Sequence, residues 1–457
     1  MNEKDRIYFG TDGIRGRANT SLMTASLALK VGMAAGAFFK RGNHRHHVVI
    51  GKDTRLSGYT LESALASGFL SMGMHVYLVG PLPTPAISML VRSMRCDVGV
   101  MISASHNTYE DNGIKLFGPD GGKLSDATEL EIEKLMQSRI EKHLVDASKL
   151  GRARRIDDAA GRYMEYVKGT LKNDMRLDGL KVVIDCANGA AYKVAPRVLW
   201  ELGAEVITTG VNPNGENINE ECGSTFPSNV AQKVIEHSAD IGIALDGDAD
   251  RCIFSDEKGE ILDGDQIIAL ITKRWKDSGK LSGNGIVGTV MSNFGLESFL
   301  SNIGVDLVRA PVGDRYILSA MKEYNYNIGG EQSGHIILGK DVAVGDGLLA
   351  SLEILSSLKE SKEKLSVLGS CFKPIPQIIK NIDLPKGLDG RDILNYLEPE
   401  LSKIAKQLGS SGRFMVRPSG TEPKIRIMAE SKNKKILNTV LSEAFLAIDK
   451  TIKEKVI

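Results

Sequence analysis

Asp246-Gly-Asp-Ala-Asp-Arg251 places three carboxylates at alternate positions between the apolar runs Ile241-Gly-Ile-Ala-Leu245 and Cys252-Ile-Phe254. Apolar runs this short are typical of strands, so the acidic residues are predicted to occupy a tight turn between two strands. Three carboxylates this close repel one another unless a cation neutralises them. Oxygen ligands favour Mg²⁺ or Ca²⁺, and Mg²⁺ usually keeps positions for substrate phosphate. We therefore interpret residues 246–251 as a metal loop rather than a solvated acidic turn.

Two other kinds of site use similar residues. An EF-hand loop would place Glu257 at its twelfth position, but Arg251 stands where that loop needs glycine for its sharp turn. The flanking runs also resemble strands rather than helices, so we reject the EF-hand. In a haloacid dehalogenase phosphatase, Asp246 would attack phosphate as a nucleophile, although Asp250 stands where threonine or valine is usual. This Mg²⁺-dependent phosphatase stays open as the alternative.

Composition limits the classes of function. The chain has 457 residues, too many for one hydrophobic core. Its 58 basic and 57 acidic side chains give a net charge of +1, so there is no general attraction for nucleic acid or anionic membrane. Five scattered cysteines without CxxC spacing are typical of buried thiols in a reducing compartment. With no apolar signal region and no stretch of about 18 apolar residues, we expect a cytoplasmic protein.

A strand–helix–strand pattern recurs three times along the chain. It runs from Val48 to Val79, from Val182 to Ile207 and from Gly285 to Val308. In each copy a glycine follows the predicted helix, as in two parallel strands joined by a crossover helix. Copies spaced by about a hundred residues predict three related α/β domains.

The C-terminal part has a different pattern. Short strands interrupted by prolines precede the strand pair Arg413-Phe-Met-Val416 and Ile425-Arg-Ile-Met-Ala429, and an amphipathic helix runs from Lys434 to about Lys453. This pattern predicts a small α+β domain. The domain boundaries that we predict are 1–156, 157–255, 256–368 and 369–457.

A second polar loop, Ile102-Ser-Ala-Ser-His-Asn107, follows an apolar strand. Ser105 could carry a phosphoryl group beside a metal ion. A serine hydrolase is disfavoured because the side chain of His106 is expected to diverge from that of Ser105, and no Gly-x-Ser-x-Gly elbow is present. Lys115 could supply a positive charge or a proton nearby. Taken alone, the loop is equally compatible with a plain polar turn.

The third polar loop is Gly329-Gly-Glu-Gln-Ser-Gly-His335. Its residues Glu331, Ser333 and His335 alternate, so an extended loop would point their side chains to the same side. Carboxylate, hydroxyl and imidazole groups suit the hydroxyls of a sugar. A structural loop is as compatible with this segment alone.

The fourth loop, Arg417-Pro-Ser-Gly-Thr-Glu422, is followed by Arg426. Arginine pairs with two phosphate oxygens at once, and hydroxyl or backbone donors complete a phosphate cradle. The basic loops Gly10-Thr-Asp-Gly-Ile-Arg15 and Gly313-Asp-Arg315 could complete a cationic pocket. The segment Asn43-His-Arg-His-His47 looks like a metal-binding segment but has no acidic residue or thiol beside it, so we interpret it as a solvated loop.

These four loops, in this order, resemble the α-D-phosphohexomutases across essentially the whole chain. Within that superfamily, Phe9-Gly-Thr-Asp-Gly-Ile-Arg-Gly16 and the Gln332-Ser333 pair are more similar to the phosphoglucosamine mutases than to the phosphomannomutase/phosphoglucomutase members. One departure is Thr108, where the family usually has proline after Ser-His-Asn. Proline fixes its φ angle, so we expect Thr108 to loosen the Ser105 loop without removing a catalytic group.

The resemblance implies three three-layer α/β/α domains with mixed sheets and a small C-terminal α+β domain, arranged around a central cleft. It implies interconversion of glucosamine 6-phosphate and glucosamine 1-phosphate, which supplies UDP-N-acetylglucosamine for the cell wall. The cofactors implied are Mg²⁺, a phosphorylated Ser105 and glucosamine or glucose 1,6-bisphosphate as activator. The family also suggests a homodimer. A non-catalytic sensor on the same fold would be expected to have lost Ser105 or one of the aspartates.

The resemblance also implies residue roles. The catalytic residues would be Ser105, Lys115, Arg251 and His335. The metal ligands would be phosphorylated Ser105, Asp246, Asp248 and Asp250. The sugar-binding residues would be Gly313, Asp314, Glu331 and Ser333. The phosphate-binding residues would be Arg15, Arg417, Ser419, Gly420, Thr421 and Arg426.

Overall fold

The computed structural model describes residues 6–10, 12–172, 174–340, 342–385, 388–409, 412–418 and 424–456. Backbone contacts divide the chain into two compact units. The first unit comprises Met1–Met291 and Val305–Cys371, and the second comprises Ser292–Gly304 and Phe372–Ile457. Three mixed sheets lie in the first unit and one antiparallel sheet in the second.

The first sheet has six strands in the order β1-β5-β4-β2-β3-β6. Its strands are β1 (Ile14–Arg17), β2 (His47–Lys52), β3 (His75–Pro81), β4 (Val98–Ile102), β5 (Asp111–Phe117) and β6 (Ala153–Arg155). The helices here are α1 (Ala25–Phe39), α2 (Gly58–Ser71), α3 (Thr84–Ser93) and α4 (Asp126–Gln137). Val48 and Ile50 of β2 belong to a core that also includes α1, α2 and α4, while α3 contacts β2 and β4. β2 is parallel to β3 and β4, so the loops after β2 and β4 lie together at the carboxyl ends of these strands.

The second sheet has the order β11-β10-β9-β7-β8. Its strands are β7 (Lys181–Asp185), β8 (Glu205–Thr209), β9 (Ile241–Leu245), β10 (Cys252–Asp256) and β11 (Ile261–Leu262). Its helices are α5 (Ala159–Lys168), α6 (Val194–Glu201) and α7 (Pro227–His237). β9 and β10 are antiparallel neighbours, which confirms that the metal loop connects two strands.

The third sheet has the order β13-β12-β14-β15. Its strands are β12 (Gly285–Thr289), β13 (Asp306–Ala310), β14 (Ile328–Gly330) and β15 (Ile336–Leu338). The helices of this part of the chain are α8 (Gly264–Asp277), α9 (Phe294–Asn302), α10 (Asp314–Tyr324), α11 (Gly347–Ser361) and α12 (Leu365–Leu368). The segment that contains α9 belongs to the second compact unit.

The three predicted strand–helix–strand units are present. The parallel pairs are β2 with β3, β7 with β8 and β12 with β13. The glycine after each helix has a positive φ, which is 83° at Gly73, 97° at Gly203 and 65° at Gly304. Glycine adopts this left-handed conformation without the steric cost of a Cβ atom. The prediction of three α/β domains with mixed sheets is therefore confirmed.

The fourth sheet is antiparallel, in the order β16-β18-β17. It comprises β16 (Gln377–Asp383), β17 (Gly412–Pro418) and β18 (Lys424–Ser431), and it packs with α13 (Gly390–Lys406) and α14 (Lys434–Val456). The small α+β domain and its last helix were predicted, but α13 was not. Pro399 lies inside α13, where proline is unfavourable, and Leu397 and Leu401 anchor the helix in the core. Within the described residues, no helix is long and apolar enough to span a bilayer.

Candidate active site

The metal loop closes the β9–β10 hairpin, in which Leu245 lies opposite Cys252. Asp246 and Asp248 are completely buried and Asp250 is 5% exposed. One carboxylate oxygen of each lies within 4.8 Å of the others. Burial and repulsion by Asp250 and Asp248 raise the pKa of Asp246 well above its usual range. The three carboxylates therefore form a buried cluster whose full ionisation requires a neighbouring positive charge.

The chemistry of this cluster fits a divalent cation. The Oδ1 atoms of Asp248 and Asp250 are buried and accept no hydrogen bond from any residue that the structure describes. Burying a charged oxygen without a partner is costly, and coordination to a metal ion removes that cost. Carboxylate oxygens alone, without nitrogen or sulfur ligands, are the donors that Mg²⁺ prefers.

Ser105 lies directly beside the metal loop. Its hydroxyl is buried and donates a 2.7 Å hydrogen bond to Oδ2 of Asp246, 141 residues later in the chain. Ser105 has a φ of 53°, in the left-handed region that non-glycine residues rarely adopt. Such strain persists only where the surrounding structure holds it, and it is often found at functional sites. The structure thus brings the second loop and the metal loop together.

The expectation that the His106 and Ser105 side chains diverge is wrong. Nδ1 of His106 lies 3.4 Å from Oγ of Ser105, because the left-handed backbone at Ser105 folds the two side chains towards each other. Burial and the positive charges of Arg251 and Arg15 lower the pKa of His106 to about 4. A neutral imidazole therefore lies next to the hydroxyl at physiological pH.

A buried arginine that we did not single out holds the Ser105 loop. Arg55 follows β2, and its guanidinium donates to the backbone carbonyl of Ser105 and to those of three residues that follow it. These carbonyls belong to Ser105 (3.0 Å), Asn107 (2.8 Å), Thr108 and Asp111 (3.0 Å). Asp53 accepts from Nε of Arg55 at 2.8 Å and from Oγ of Ser103 at 2.7 Å. The loop that Thr108 was expected to loosen is therefore restrained by Arg55.

The second sheet's domain also contacts the Ser105 loop. Nδ2 of Asn219 donates to the carbonyls of Ser105 (2.9 Å) and Asn107 (2.8 Å). At Gly247, between the first two aspartates, a Cβ atom would lie only 2.6 Å from the Ser105 carbonyl oxygen. Glycine is therefore required at this position for the backbones of the two loops to approach each other.

Lys115 is buried in β5 and faces the aspartates. Its Nζ atom lies 2.8 Å from Oδ2 of Asp248, 3.7 Å from Oδ2 of Asp250 and 3.3 Å from Oδ2 of Asp12. Burial opposes its charge, but the attraction of these three carboxylates is greater, so the pKa of Lys115 is raised. The ammonium group therefore stays protonated and supplies positive charge next to the metal loop.

The third loop joins the same site through the backbone. Arg251 and His335 form an antiparallel bridge, and the Cys252 amide donates to the Gly334 carbonyl at 3.0 Å. His335 is buried, with Nδ1 3.7 Å from Oδ1 of Asp250. Burial disfavours the charged imidazole, but Asp250 attracts it, and the pKa of His335 is raised. Arg251 is also near Asp250, with Nε 3.9 Å from Oδ1.

The third loop forms a tight turn and is not extended, so the condition for pointing its three side chains to one side is not met. The Gly334 amide donates to the Glu331 carbonyl at 3.0 Å, which closes a tight turn, and Gly334 has a φ of 90°. A Cβ atom on Gly334 would lie 2.2 Å from the Cys252 carbonyl oxygen. The turn leaves Ser333 exposed and hydrogen-bonded to Glu331 at 3.1 Å, while His335 is buried.

The remaining predicted residues of the first unit lie next to this turn and to the Ser105 loop. The Gly313 amide donates to Oε1 of Glu331 at 3.1 Å. Nζ of Lys123 lies 2.5 Å from Oδ2 of Asp314 and is also bonded to Asp12. Arg15 pairs with Asp12, and its Nη1 lies 3.5 Å from the Ala104 carbonyl. We had not singled out Asp12 or Lys123, although Asp12 stands within one of the basic loops that we quoted.

The fourth loop lies in the second unit, and Ser419, Gly420, Thr421 and Glu422 are outside the described residues. Arg417 on β17 and Arg426 on β18 are directly opposite each other in the antiparallel ladder. Burial and the charge of Arg426 lower the pKa of Arg417. Like charges directly opposite each other destabilise a sheet, and a bound anion would offset that repulsion.

Comparisons with known proteins agree with this geometry. Family models for phosphoglucomutase/phosphomannomutase match in chain order: alpha/beta/alpha domain I at residues 6–143, domain II at 161–259, domain III at 263–374 and the C-terminal domain at 372–447. Phosphoglucosamine mutase from Parvibaculum lavamentivorans is 57% identical over 97% of this chain and 99% of that protein. The chain belongs to the phosphoglucosamine mutase family of phosphohexomutases. A second family member, from Rhizobium leguminosarum, is 55% identical over 96% of this chain and 97% of its own.

Solved structures of phosphohexomutases have the same fold. A phosphoglucomutase/phosphomannomutase family protein from Burkholderia thailandensis has a TM-score of 0.81 at 23% identity, covering 99% of this chain and 98% of that one. The Aspergillus fumigatus N-acetylphosphoglucosamine mutase, solved with GlcNAc-6P and magnesium, has a TM-score of 0.64 at 17% identity. The match covers 98% of this chain and 96% of that one. At these identities the likeness concerns the fold.

Proposed function

We propose that this protein interconverts glucosamine 6-phosphate and glucosamine 1-phosphate, and so supplies the precursor of UDP-N-acetylglucosamine for the cell wall. The observation that carries the proposal is the 2.7 Å hydrogen bond from Ser105 Oγ to Asp246 within the buried aspartate cluster. The identity of the sugar in this proposal is taken from the names of the relatives at 55–57% identity. The reaction moves one phosphoryl group from Ser105 to the sugar phosphate and another from the resulting 1,6-bisphosphate back to Ser105.

Asp246, Asp248 and Asp250 would hold Mg²⁺, with phosphorylated Ser105 as a further ligand. Bound there, Mg²⁺ would neutralise the charge that builds up on the transferred phosphoryl group. Arg55 and Asn219 hold the backbone of Ser105 by hydrogen bonds to its carbonyl, and such positioning of the reacting oxygen is what phosphoryl transfer requires.

Two buried groups are placed to move protons. Lys115 and His335 approach the metal loop from different elements, with Lys115 next to Asp248 and His335 next to Asp250. We assign proton transfer at the sugar hydroxyl to His335, and we assign to Lys115, whose ammonium group stays protonated, donation of a hydrogen bond or a proton to the serine oxygen. Arg251, between them in chain order and adjacent to Asp250, would stabilise the negative charge of the transferred group.

Recognition of substrate falls to the other two loops. Glu331 accepts from Ser333 and from the Gly313 amide, and Asp314 follows Gly313 in the chain, so these polar groups would suit sugar hydroxyls. Arg417 and Arg426 would bind the phosphate that is not being transferred, with Ser419, Gly420 and Thr421 in the same loop and Arg15 near Ser105. One clamp has to accept phosphate at either end of the sugar, because the bisphosphate turns around between the two transfers.

The experiment is peptide mass spectrometry after incubation with glucose 1,6-bisphosphate and Mg²⁺. We expect one phosphate, on Ser105, and loss of mutase turnover by at least a thousandfold in Ser105→Ala. Ser63→Ala, an exposed serine on α2, is the matched control and should keep full turnover. Turnover in Ser105→Ala close to that of the unchanged protein would overturn the proposal, and binding of the sugar phosphate without turnover in the unchanged protein would point to a sensor.

The alternative phosphatase, with Asp246 as nucleophile, is disfavoured by hydrogen bonding. One oxygen of Asp246 accepts from Ser105 and the other from the Arg251 amide at 3.1 Å. A phosphatase would release inorganic phosphate from sugar phosphates and keep that activity in Ser105→Ala. A phosphomannomutase/phosphoglucomutase is the closer alternative, and one coupled assay comparing glucosamine, glucose and mannose phosphates distinguishes it.

The domain boundaries 1–156, 157–255, 256–368 and 369–457 are part of the proposal, and the four family segments support them. We further propose that the protein is a cytoplasmic homodimer. It would use no nucleic acid or membrane partner, and glucosamine or glucose 1,6-bisphosphate would activate it. The near-balance of charge supports the absence of those partners, and five unpaired cysteines support a reducing compartment. Light scattering of the purified protein tests the dimer.

A further inference from the structure

The histidine-rich segment before β2 meets an acidic residue that lies far away in sequence. Asp97 immediately precedes β4, and β4 is a parallel neighbour of β2, with Val98 opposite Val48. The residues before the two strands are therefore adjacent. His44 and His46 both approach Asp97, so the interpretation of this segment as a solvated loop without an acidic partner is wrong.

The three side chains converge on one point. Nε2 of His44 lies 2.7 Å from Oδ1 of Asp97, and Nδ1 of His46 lies 3.3 Å from the same oxygen. One ligand atom from each residue lies within 4.8 Å of the others. In a tetrahedral zinc site with bonds of about 2.1 Å, neighbouring ligand atoms are roughly 3.3 Å apart. The His46 nitrogen already has this separation from Oδ1, and the His44 nitrogen would have to move away by about 0.6 Å to accommodate an ion.

The carboxylate is held in the orientation that such a site needs. Its other oxygen, Oδ2, accepts a 2.8 Å hydrogen bond from the His47 amide, which leaves Oδ1 directed at the two imidazoles. Hydrogen bonds from surrounding residues to a metal ligand fix the orientation of that ligand. The ring of His47 stacks on Tyr77 at 5.0 Å, which anchors the backbone that donates this bond.

One side of the cluster is open to solvent. The side chain of His44 is 58% exposed, whereas those of Asp97 and His46 are 13% and 7% exposed. A groove of about 570 Å³ passes His44 and Asp97. An ion can therefore reach the cluster, and water can complete its coordination.

We infer that His44, His46 and Asp97 bind a divalent transition-metal ion of the Zn²⁺ class. Two imidazole nitrogens with one carboxylate favour such ions, whereas the three aspartates of the metal loop favour Mg²⁺. The two sites lie at opposite ends of β2: the histidines precede the strand, and the Asp53–Arg55 segment that holds the Ser105 loop follows it. The six residues of β2 span roughly 20 Å between the two ends.

The test is calorimetric titration of Zn²⁺ into metal-free protein in excess Mg²⁺, which keeps the aspartate site filled. We expect one equivalent of Zn²⁺ to bind to the unchanged protein, and affinity to fall at least tenfold in both His44→Ala and His44→Gln. His237→Ala, at an exposed histidine on α7, is the matched control and should bind as the unchanged protein does. His44 is itself largely exposed, so both of its variants should fold, which circular dichroism verifies.

A second measurement reports the ligands directly. Zn²⁺ should shift the ring nitrogen resonances of His44 and His46, and leave that of His237 unchanged. Absence of Zn²⁺ binding under excess Mg²⁺, or equal affinity in the His44 variants, would overturn the inference. Because neither measurement involves turnover, failure of this inference and failure of the proposed mutase function are distinguishable.

Discussion

Thr84 donates a 2.6 Å hydrogen bond from Oγ1 to Oδ2 of Asp248, 164 residues later in the chain. Its amide also donates to the Asp248 carbonyl at 2.9 Å. Thr84 begins α3, so a helix of the first domain fixes both the side chain and the backbone of a predicted metal ligand in the second. Thr84 and Asp248 are both completely buried, so water does not compete for their hydrogen bonds.

This contact predicts that Thr84→Val lowers Mg²⁺ affinity. Valine has nearly the same shape but cannot donate, so Oδ2 of Asp248 loses one orienting bond and keeps the one from Lys115. Loss of a group that orients a metal ligand typically costs about 10- to 100-fold in metal affinity or activity. Mg²⁺ dependence of turnover measures the effect, and Thr84→Ser should restore most of it. Equal Mg²⁺ dependence in the two variants would contradict the prediction.

Arg55→Lys should reduce kcat while changing KM little. Lysine keeps the charge but cannot donate to several carbonyls in the planar arrangement of guanidinium. The substitution also leaves Asp53 with a poorer partner, and breaking a buried ion pair costs about 3–5 kcal/mol. Turnover, thermal midpoint and hydrogen exchange at residues 103–108 are the measurements. Arg197→Lys, at an exposed arginine on α6, is the control for an arginine-to-lysine change without buried partners.

Gly247→Ala should inactivate the enzyme even though it adds a single methyl group. The new Cβ atom would lie 2.6 Å from the Ser105 carbonyl oxygen and 2.8 Å from Nδ2 of Asn219, so the Ser105 loop must move away from the metal loop. Gly161→Ala on α5 is the matched control, because a Cβ atom there meets nothing within 4 Å. We expect Gly161→Ala to retain full activity and to raise the thermal midpoint slightly. Activity in both variants would contradict the steric account.

Asp346 should make stability depend on pH. It caps α11 and accepts from Tyr163, and burial raises its pKa to about 6. Because the folded pKa lies above the unfolded value, the folded state binds the proton more tightly. Stability is therefore lost as pH rises from about 4 to 6, by at most a few kcal/mol.

The measurement is the thermal midpoint of the unchanged protein and of Asp346→Asn between pH 4 and pH 8. Asparagine keeps an acceptor oxygen but does not ionise, so its advantage over aspartate should grow up to about pH 6 and then stay constant. Asp389→Asn, at the exposed cap of α13, is the control. A pH-independent difference between Asp346→Asn and the unchanged protein would refute the prediction.

Arg417→Gln should weaken substrate binding without destabilising the fold. The residue lies opposite Arg426, so its removal relieves repulsion within the second unit. We expect KM for the sugar phosphate to rise at least tenfold while the thermal midpoint stays equal or rises. A fall in the midpoint with unchanged KM would show that the pair serves the fold instead.

Local patterns in the sequence were sufficient for much of the site. The aspartates between two short apolar runs predicted a metal loop in a hairpin, because strand pairing and charge repulsion are local effects. The pairing of that loop with Ser105 came from the family resemblance, since no local pattern connects residues 141 apart. Arg55 was missed because its partners are mostly backbone carbonyls. Every residue has a carbonyl, so the residue types in the sequence do not reveal such partners.

The wrong expectations have similar physical causes. Alternation of Glu331, Ser333 and His335 would put the three side chains together only in an extended loop, but the positive φ of Gly334 closes a turn that keeps Ser333 bonded to Glu331 and buries His335. His44 was assigned to solvent because Asp97 becomes its neighbour only when β2 and β4 pair in parallel. In both cases one backbone conformation or one strand pairing, invisible to composition, decided the outcome.

The bond between the Cys252 amide and the Gly334 carbonyl makes the metal loop and the third loop parts of one backbone ladder. Together with the Arg251–His335 bridge, it keeps the two loops at a constant separation. In the proposed cycle the metal ligands and the sugar contacts therefore act as a single rigid platform. On such a platform the bisphosphate would have to release its hydroxyl contacts before rebinding in the opposite direction, and its rotation would be a separate step between the two transfers.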